Sequence, residues 1–134
     1  MKAFVDTSAI LAVMDQDDQN HGLASEVWEH LVDDDAILFC TNYVILETVS
    51  LIQHRFGMHL VEAFVTRVQP LLHVEWVNDW LHQAAISALL AANRRRLSLV
   101  DCTSFVAMRR LGIDTAFAFD QHFVEQGFTM ARPS

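Results

Sequence analysis

Along this chain, short runs of apolar residues alternate with longer stretches in which apolar residues recur every three or four positions. Ala3-Phe4-Val5 predicts a buried strand from Lys2 to Val5, ending at Asp6. Ala24, Val27, Trp28 and Leu31 then share one helical face, with Ser25, Glu26, Glu29 and His30 on the other. After the acidic turn Asp33-Asp34-Asp35, Ala36 to Cys40 has the length of a second strand. Thr41 is placed to cap a long helix reaching about Phe56, with Ile45, Val49, Ile52 and Phe56 as its main apolar stripe. Gly57 interrupts that helix, and a further one runs to about Val68, ahead of Pro70. Alternation of Leu72, Val74 and Trp76 with His73 and Glu75 predicts a third strand. Asn78 caps an Ala- and Leu-rich helix that reaches Asn93. Asp101 starts another, closed by Arg109-Arg110-Leu111-Gly112, because cations and a following glycine suit a helix C-terminus. Thr115 to Phe119 predicts a strand ending at Asp120, and Phe128 to Met130 a last edge strand.

Strands alternating with helices imply an α/β fold, an α/β/α sandwich around a central parallel sheet of four to five strands. In such sheets ligands collect beyond the carboxyl ends of strands, near the point where strand order reverses. Asp6 and Asp120 both fall at predicted strand ends. With four Gly, two Pro and no repeat or linker, residues 1–134 are expected to form a single domain.

Composition narrows the class. At 52% hydrophobic residues the chain can build a core, which excludes a disordered protein. The longest apolar stretch, around Ala84 to Ala92, is broken by Ser87 and too short to span a bilayer. The first residues lack the signal-peptide pattern, so a cytoplasmic protein with no membrane association is expected. Cys40 and Cys102 form no CxxC or Cys/His pattern and are expected to be reduced, buried thiols. The net charge of −8 argues against a nucleic-acid partner until its distribution is considered. Four of the 17 acidic residues facing metal ions would account for about half of it, and five of the nine Lys and Arg lie between Arg94 and Arg110.

Four acidic residues carry the candidate chemistry. Asp6 directly follows a buried strand and precedes two hydroxyls, Thr7 and Ser8. Glu47 is the only charged residue between Asp35 and Arg55, in a helix with apolar residues on most faces. Asp101 follows Leu97-Ser98-Leu99-Val100, and Asp120 closes Phe117-Ala118-Phe119. Taken singly, each also fits a bland role, as helix cap, turn residue or solvated side chain. Gathered together without counter-charge, they would raise one another's pKa. Mg²⁺ or Mn²⁺ would remove that penalty, since hard divalent ions match all-oxygen coordination and activate water against a phosphodiester.

The ordered set resembles the PIN-domain nucleases, specifically the VapC-type toxins of prokaryotic toxin–antitoxin pairs. The resemblance runs over essentially the whole chain. It is carried by Phe4-Val5-Asp6-Thr7-Ser8-Ala9, His21 with Ala24, the helix holding Glu47, Leu99-Val100-Asp101 and Phe119-Asp120-Gln121-His122-Phe123 before Gly127-Phe128. It implies a metal-dependent endoribonuclease in which Asp6, Glu47, Asp101 and Asp120 are both the catalytic and the metal-binding residues. Mg²⁺ is the implied ion, with Mn²⁺ able to substitute, and cleavage would leave a 5′-phosphate and a 3′-hydroxyl. The implied partners are RNA (a tRNA or rRNA loop), a cognate antitoxin and a second copy in a homodimer. The chain departs from the family where Ala118 replaces the usual Thr or Ser two residues before the last acid, and where Cys102 follows the third. An RNA-processing nuclease without a toxin role is the alternative within the fold, and a non-catalytic α/β binding module the alternative outside it.

Other patterns carry less. Asp15, Asp17, Gln19 and Glu26 approach calcium-loop spacing, but Asn20 stands where that loop needs Gly. No GxSxG or Walker element is present, and Lys2 is the only Lys, which disfavours a phospho-acceptor receiver domain. His122 is expected to be a packed or capping residue. Arg94, Arg95 and Arg96 are candidate contacts to RNA phosphates beside Asp101, although cations also suit the helix end they follow. Trp28, Trp76 and Trp80 are expected in the core or at an interface.

Overall fold

The structure is a computed structural model describing residues 1–134. Its strands are β1 (Lys2–Val5), β2 (Ile37–Thr41), β3 (Leu72–Glu75), β4 (Thr115–Phe117) and β5 (Thr129–Met130). The helices are α1 (Thr7–Met14), α2 (His21–Asp33), α3 (Asn42–Phe56), α4 (Met58–Ala63), α5 (Asp79–Ala92), α6 (Leu99–Leu111) and α7 (Gln121–Glu125). A π-helical turn, Phe64–Val68, continues α4, and Pro70 lies in the short 3-10 turn Gln69–Leu71.

All five strands are parallel, in the order β3-β2-β1-β4-β5. The chain builds outward from β1 in one direction, then crosses back and builds outward in the other. Crossovers in opposite directions place helices on both faces, so the central strands β1 and β4 are largely apolar, while the outer strand β3 keeps His73 and Glu75. Ala3, Phe4 and Val5 are fully buried beside Ala116 and Phe117. No helix is long and apolar enough to cross a membrane.

Local chemistry sets most of the boundaries. Thr41 caps α3 by accepting from the Val44 N–H, and Asn78 caps α5 by accepting from Leu81. Gly57 ends α3 with φ 85°, and Gly112 ends α6 in the left-handed region, conformations that glycine adopts most readily. Asn93 closes α5 in the left-handed region as well.

The structure differs from the sequence reading in three places. The buried face of α3 is Val44, Thr48 and Ile52; Ile45 and Val49 flank it, Leu46 is exposed and Phe56 is 41% exposed. Thr48 can sit at the centre because its hydroxyl donates to Thr7 Oγ1 at 3.0 Å, a partner that the helical period cannot reveal. Helix α6 starts at Leu99 with Ser98 as its cap, which puts Asp101 inside the first turn. Strand β4 stops at Phe117 because the Phe119 N–H turns away to donate to Ser8 Oγ at 2.9 Å. Of the three Trp expected in the core or at an interface, Trp28 packs against the core, while Trp76 and Trp80 stand on the surface, 71% and 57% exposed. Cys40 and Cys102 are buried free thiols, as expected, with burial pushing the Cys40 thiol up to about 12.

Candidate active site

The β1/β4 boundary is where strand order reverses, and the Asp6 N–H closes it by donating to the Phe117 carbonyl at 3.0 Å. Asp6 caps α1 from this position: its Oδ2 accepts from the Ser8 N–H at 3.1 Å and the Ser8 hydroxyl at 2.6 Å. Ser8 Oγ also accepts from Phe119 N–H, so one hydroxyl ties Asp6 to the segment leading to Asp120. That is a tie between strand ends which Ala118, lacking a hydroxyl, does not supply.

Asp101 stands in the first turn of α6 as the acidic half of a capping box. Ser98 Oγ accepts from the Asp101 N–H at 3.0 Å, and Asp101 Oδ2 accepts from the Ser98 N–H at 3.2 Å. Asp120 caps α7, its Oδ1 accepting from the His122 N–H at 2.9 Å. The three Asp thus follow one design. Each spends one oxygen on a backbone N–H at a helix start, where the helix dipole favours negative charge, and keeps the other oxygen free of such bonds. Glu47 comes from the middle of α3, half-buried, one residue before Thr48.

Their mutual repulsion shows how close they lie. Burial holds Asp6 well above its ordinary value of 3.8, at about 7, with Asp101 and Glu47 adding to the push. Burial also raises Glu47, and Asp101 and Asp120 raise it further. Asp101 is raised by burial first and by Asp120 second. Five of the six possible pairs among the four carboxylates are therefore close enough to repel. No Lys or Arg forms an ion pair with any of them. Four clustered carboxylates without a Lys or Arg partner make an arrangement that a divalent cation would relieve.

The four are not equally close. The compact group of potential ligands is Asp101, Asp120 and His122, with one ligand atom from each lying within 4.8 Å of the others. His122, expected as a packing or capping residue, turns its Nδ1 toward both carboxylates, 3.0 Å from Asp120 Oδ1 and 3.6 Å from Asp101 Oδ2. Sequence reasoning passed over Ser98 and Thr48 as well. The available signal was a hydroxyl beside or one turn before three of the acids: Thr7-Ser8 after Asp6, Thr48 after Glu47, and Ser98 three before Asp101.

The candidate RNA contacts lie in the exposed turn between α5 and α6. Arg94 is committed to Glu125 of α7, at 2.6 Å, while Arg95 and Arg96 form no ion pair. The calcium-like stretch is a run of turns, with Asp15 accepting from Asp17 N–H and Asp18 from Asn20 N–H, and its acids do not cluster.

Comparison with known proteins agrees with this geometry. The PIN domain family model matches residues 3–128. The 23S rRNA-specific endonuclease VapC20 of Mycobacterium tuberculosis is 36% identical over 131 residues, covering 97% of this chain and 98% of its own. The VapC ribonuclease of Aquifex aeolicus is 22% identical over 129 residues, covering 96% and 95%. Among solved structures, VapC20, described as a Sarcin-Ricin loop cleaving toxin, superposes with a TM-score of 0.85 at 34% identity, over 98% of this chain and 99% of that one. FitAcB from Neisseria gonorrhoeae shares the fold, with a TM-score of 0.70 at 12% identity over 98% and 97%.

Proposed function

The chain belongs to the PIN domain family as a nuclease of the VapC type, and from that premise we propose that Asp6, Glu47, Asp101 and Asp120 form a Mg²⁺-dependent site that cuts a structured RNA loop. The observation that carries the proposal is the convergence of four mutually repelling carboxylates on the β1/β4 switch point, three of them with one oxygen held and one open. The donor set is dominated by oxygen, which fits Mg²⁺ with Mn²⁺ as substitute. Bound there, such an ion would lower the pKa of coordinated water and neutralise charge on the phosphodiester.

The remaining tasks fall to the chain itself. The Ser8 hydroxyl and the Ser98 backbone N–H each hold one oxygen of the Asp6 and Asp101 carboxylates, so both side chains are oriented before any ligand arrives. The starts of α1, α6 and α7 bring backbone N–H groups to the same cluster and hold its negative charge in place. Arg95 and Arg96, free of ion pairs, would hold RNA phosphates at the rim, and Arg94 through its pairing with Glu125 would brace the turn.

Identity to VapC20 over nearly the full length makes a 23S rRNA loop the first substrate to test, with a tRNA loop the second. With this reading go a cytoplasmic toxin, a cognate antitoxin that covers the acidic site, and a homodimer. Exposed Leu46, Trp76 and Trp80 supply apolar surface for such contacts. The test is to incubate the purified chain with intact ribosomes and with tRNA in Mg²⁺, and to map product ends. A discrete cut leaving 5′-phosphate and 3′-hydroxyl ends, blocked by EDTA, is expected. Intact RNA in both samples, from protein that is folded, would overturn the proposal.

A further inference from the structure

The most compact set of ligand atoms in this site includes a nitrogen. Asp120 caps α7 through the N–H of His122, and the same turn folds the imidazole back over the carboxylates. Nδ1 is shielded from solvent and makes no hydrogen bond, although it stands 3.0 Å from Asp120 Oδ1. The distance is that of a hydrogen bond, but the ring N–H direction misses the oxygen. A buried polar atom left in this way is costly unless something else satisfies it.

A metal ion would satisfy it. Two neighbouring ligands on an octahedral ion, each at about 2.1 Å, are about 3.0 Å apart, and opposite ligands are about 4.2 Å apart. The Nδ1–Oδ1 separation of 3.0 Å matches an octahedral edge, and the 3.6 Å to Asp101 Oδ2 lies between edge and diagonal. With all three atoms within 4.8 Å of one another, closing inward by a few tenths of an ångström would bring them onto one centre.

Resting on the reading of this cluster as a divalent metal site, we propose that His122 Nδ1 is a direct ligand of the ion held by Asp101 and Asp120. The ring is then the neutral tautomer carrying its proton on Nε2. A nitrogen donor changes the metal preference. Mg²⁺ binds nitrogen donors poorly, whereas Mn²⁺, though also oxygen-seeking, accepts an imidazole beside carboxylates, so His122 biases the site toward Mn²⁺ relative to Mg²⁺. The all-oxygen site that the four acids alone suggest becomes a mixed nitrogen–oxygen site.

The experiment uses the full chain freed of metal and titrated with Mn²⁺ and Mg²⁺ by calorimetry, with pulsed EPR on the bound Mn²⁺. The wild type is expected to show nitrogen-14 coupling from one imidazole, and Asp101→Asn should abolish that signal. His122→Ala and His122→Asn, checked for fold by circular dichroism, should lose the coupling while still binding Mn²⁺. They should also lose about tenfold or more of the preference for Mn²⁺ over Mg²⁺. Mn²⁺ bound at the Asp101 site of the wild type without nitrogen coupling would overturn the assignment and leave the nuclease reading standing. Absence of any Mn²⁺ or Mg²⁺ binding sensitive to Asp101→Asn would overturn both. The wild-type spectrum is decisive even if the variants fold poorly.

Discussion

Ser8 does more for the site than its position beside an acid suggests. Its hydroxyl donates to Asp6 Oδ2 and accepts from Phe119 N–H, so it orients one carboxylate and draws the Asp120 segment toward it. Ser8→Ala removes a bond to a charged group, worth about 2 kcal/mol, and leaves the Phe119 N–H without its partner. We expect RNA cleavage to fall about tenfold or more, with the fold retained; unchanged cleavage would mean that Asp6 is oriented by something else. Asp6, Asp101 and Asp120 are legible in the sequence because each stands out against apolar neighbours at a strand end or helix start, and Glu47, inside α3, because no other charged residue lies between Asp35 and Arg55. Their supporting hydroxyls are harder to read, because Ser and Thr gain meaning only from partners such as Thr7 for Thr48, 41 residues away.

At the scale of elements, the start of α6 links stability to function. The reciprocal bonds between Ser98 and Asp101 both satisfy the helix end and set the carboxylate's direction. Ser98→Ala should cost about 1 kcal/mol of stability and, by loosening the turn whose Ser98 N–H holds Asp101 Oδ2, should weaken metal binding by a smaller factor than Asp101→Asn does. Urea unfolding and metal titration on the same protein check this, and a stability loss with unchanged metal affinity would separate the two roles. Caps such as Thr41 and Asn78, and stops such as Gly57 and Gly112, are legible because their chemistry acts within a few residues. The register of α3 and the end of β4 are not, because Thr48 and Phe119 are placed by contacts with α1. Strand alternation likewise cannot tell that Trp76 lies past the end of β3 and faces solvent.

Across the whole molecule, the acidic centre is a local cost that a bound cation would relieve. Asp6 holds its proton up to about 7 when folded and loses it near 3.8 when unfolded. Between those values the folded state binds more protons, so the metal-free protein loses stability as pH rises, by about 4 kcal/mol from this group alone. Glu47 and Asp101, also raised, act in the same direction. Urea midpoints in EDTA should therefore fall between pH 5 and pH 7.5, and Mg²⁺ should restore the loss at pH 7.5; a midpoint that rises over this range without metal would refute the burial argument. The overall topology is legible because strand and helix periods alternate so regularly, and the topology in turn brings together acids spread from residue 6 to residue 120. The most direct test of the account is the Mg²⁺-dependent cleavage rate of ribosomal RNA by wild type, Asp6→Asn and Asp101→Asn, each verified as folded. Removing either charge should lower the rate by about 100-fold or more, several kcal/mol of transition-state stabilisation. Cleavage by Asp101→Asn at the wild-type rate, still requiring Mg²⁺, would place the catalytic centre elsewhere.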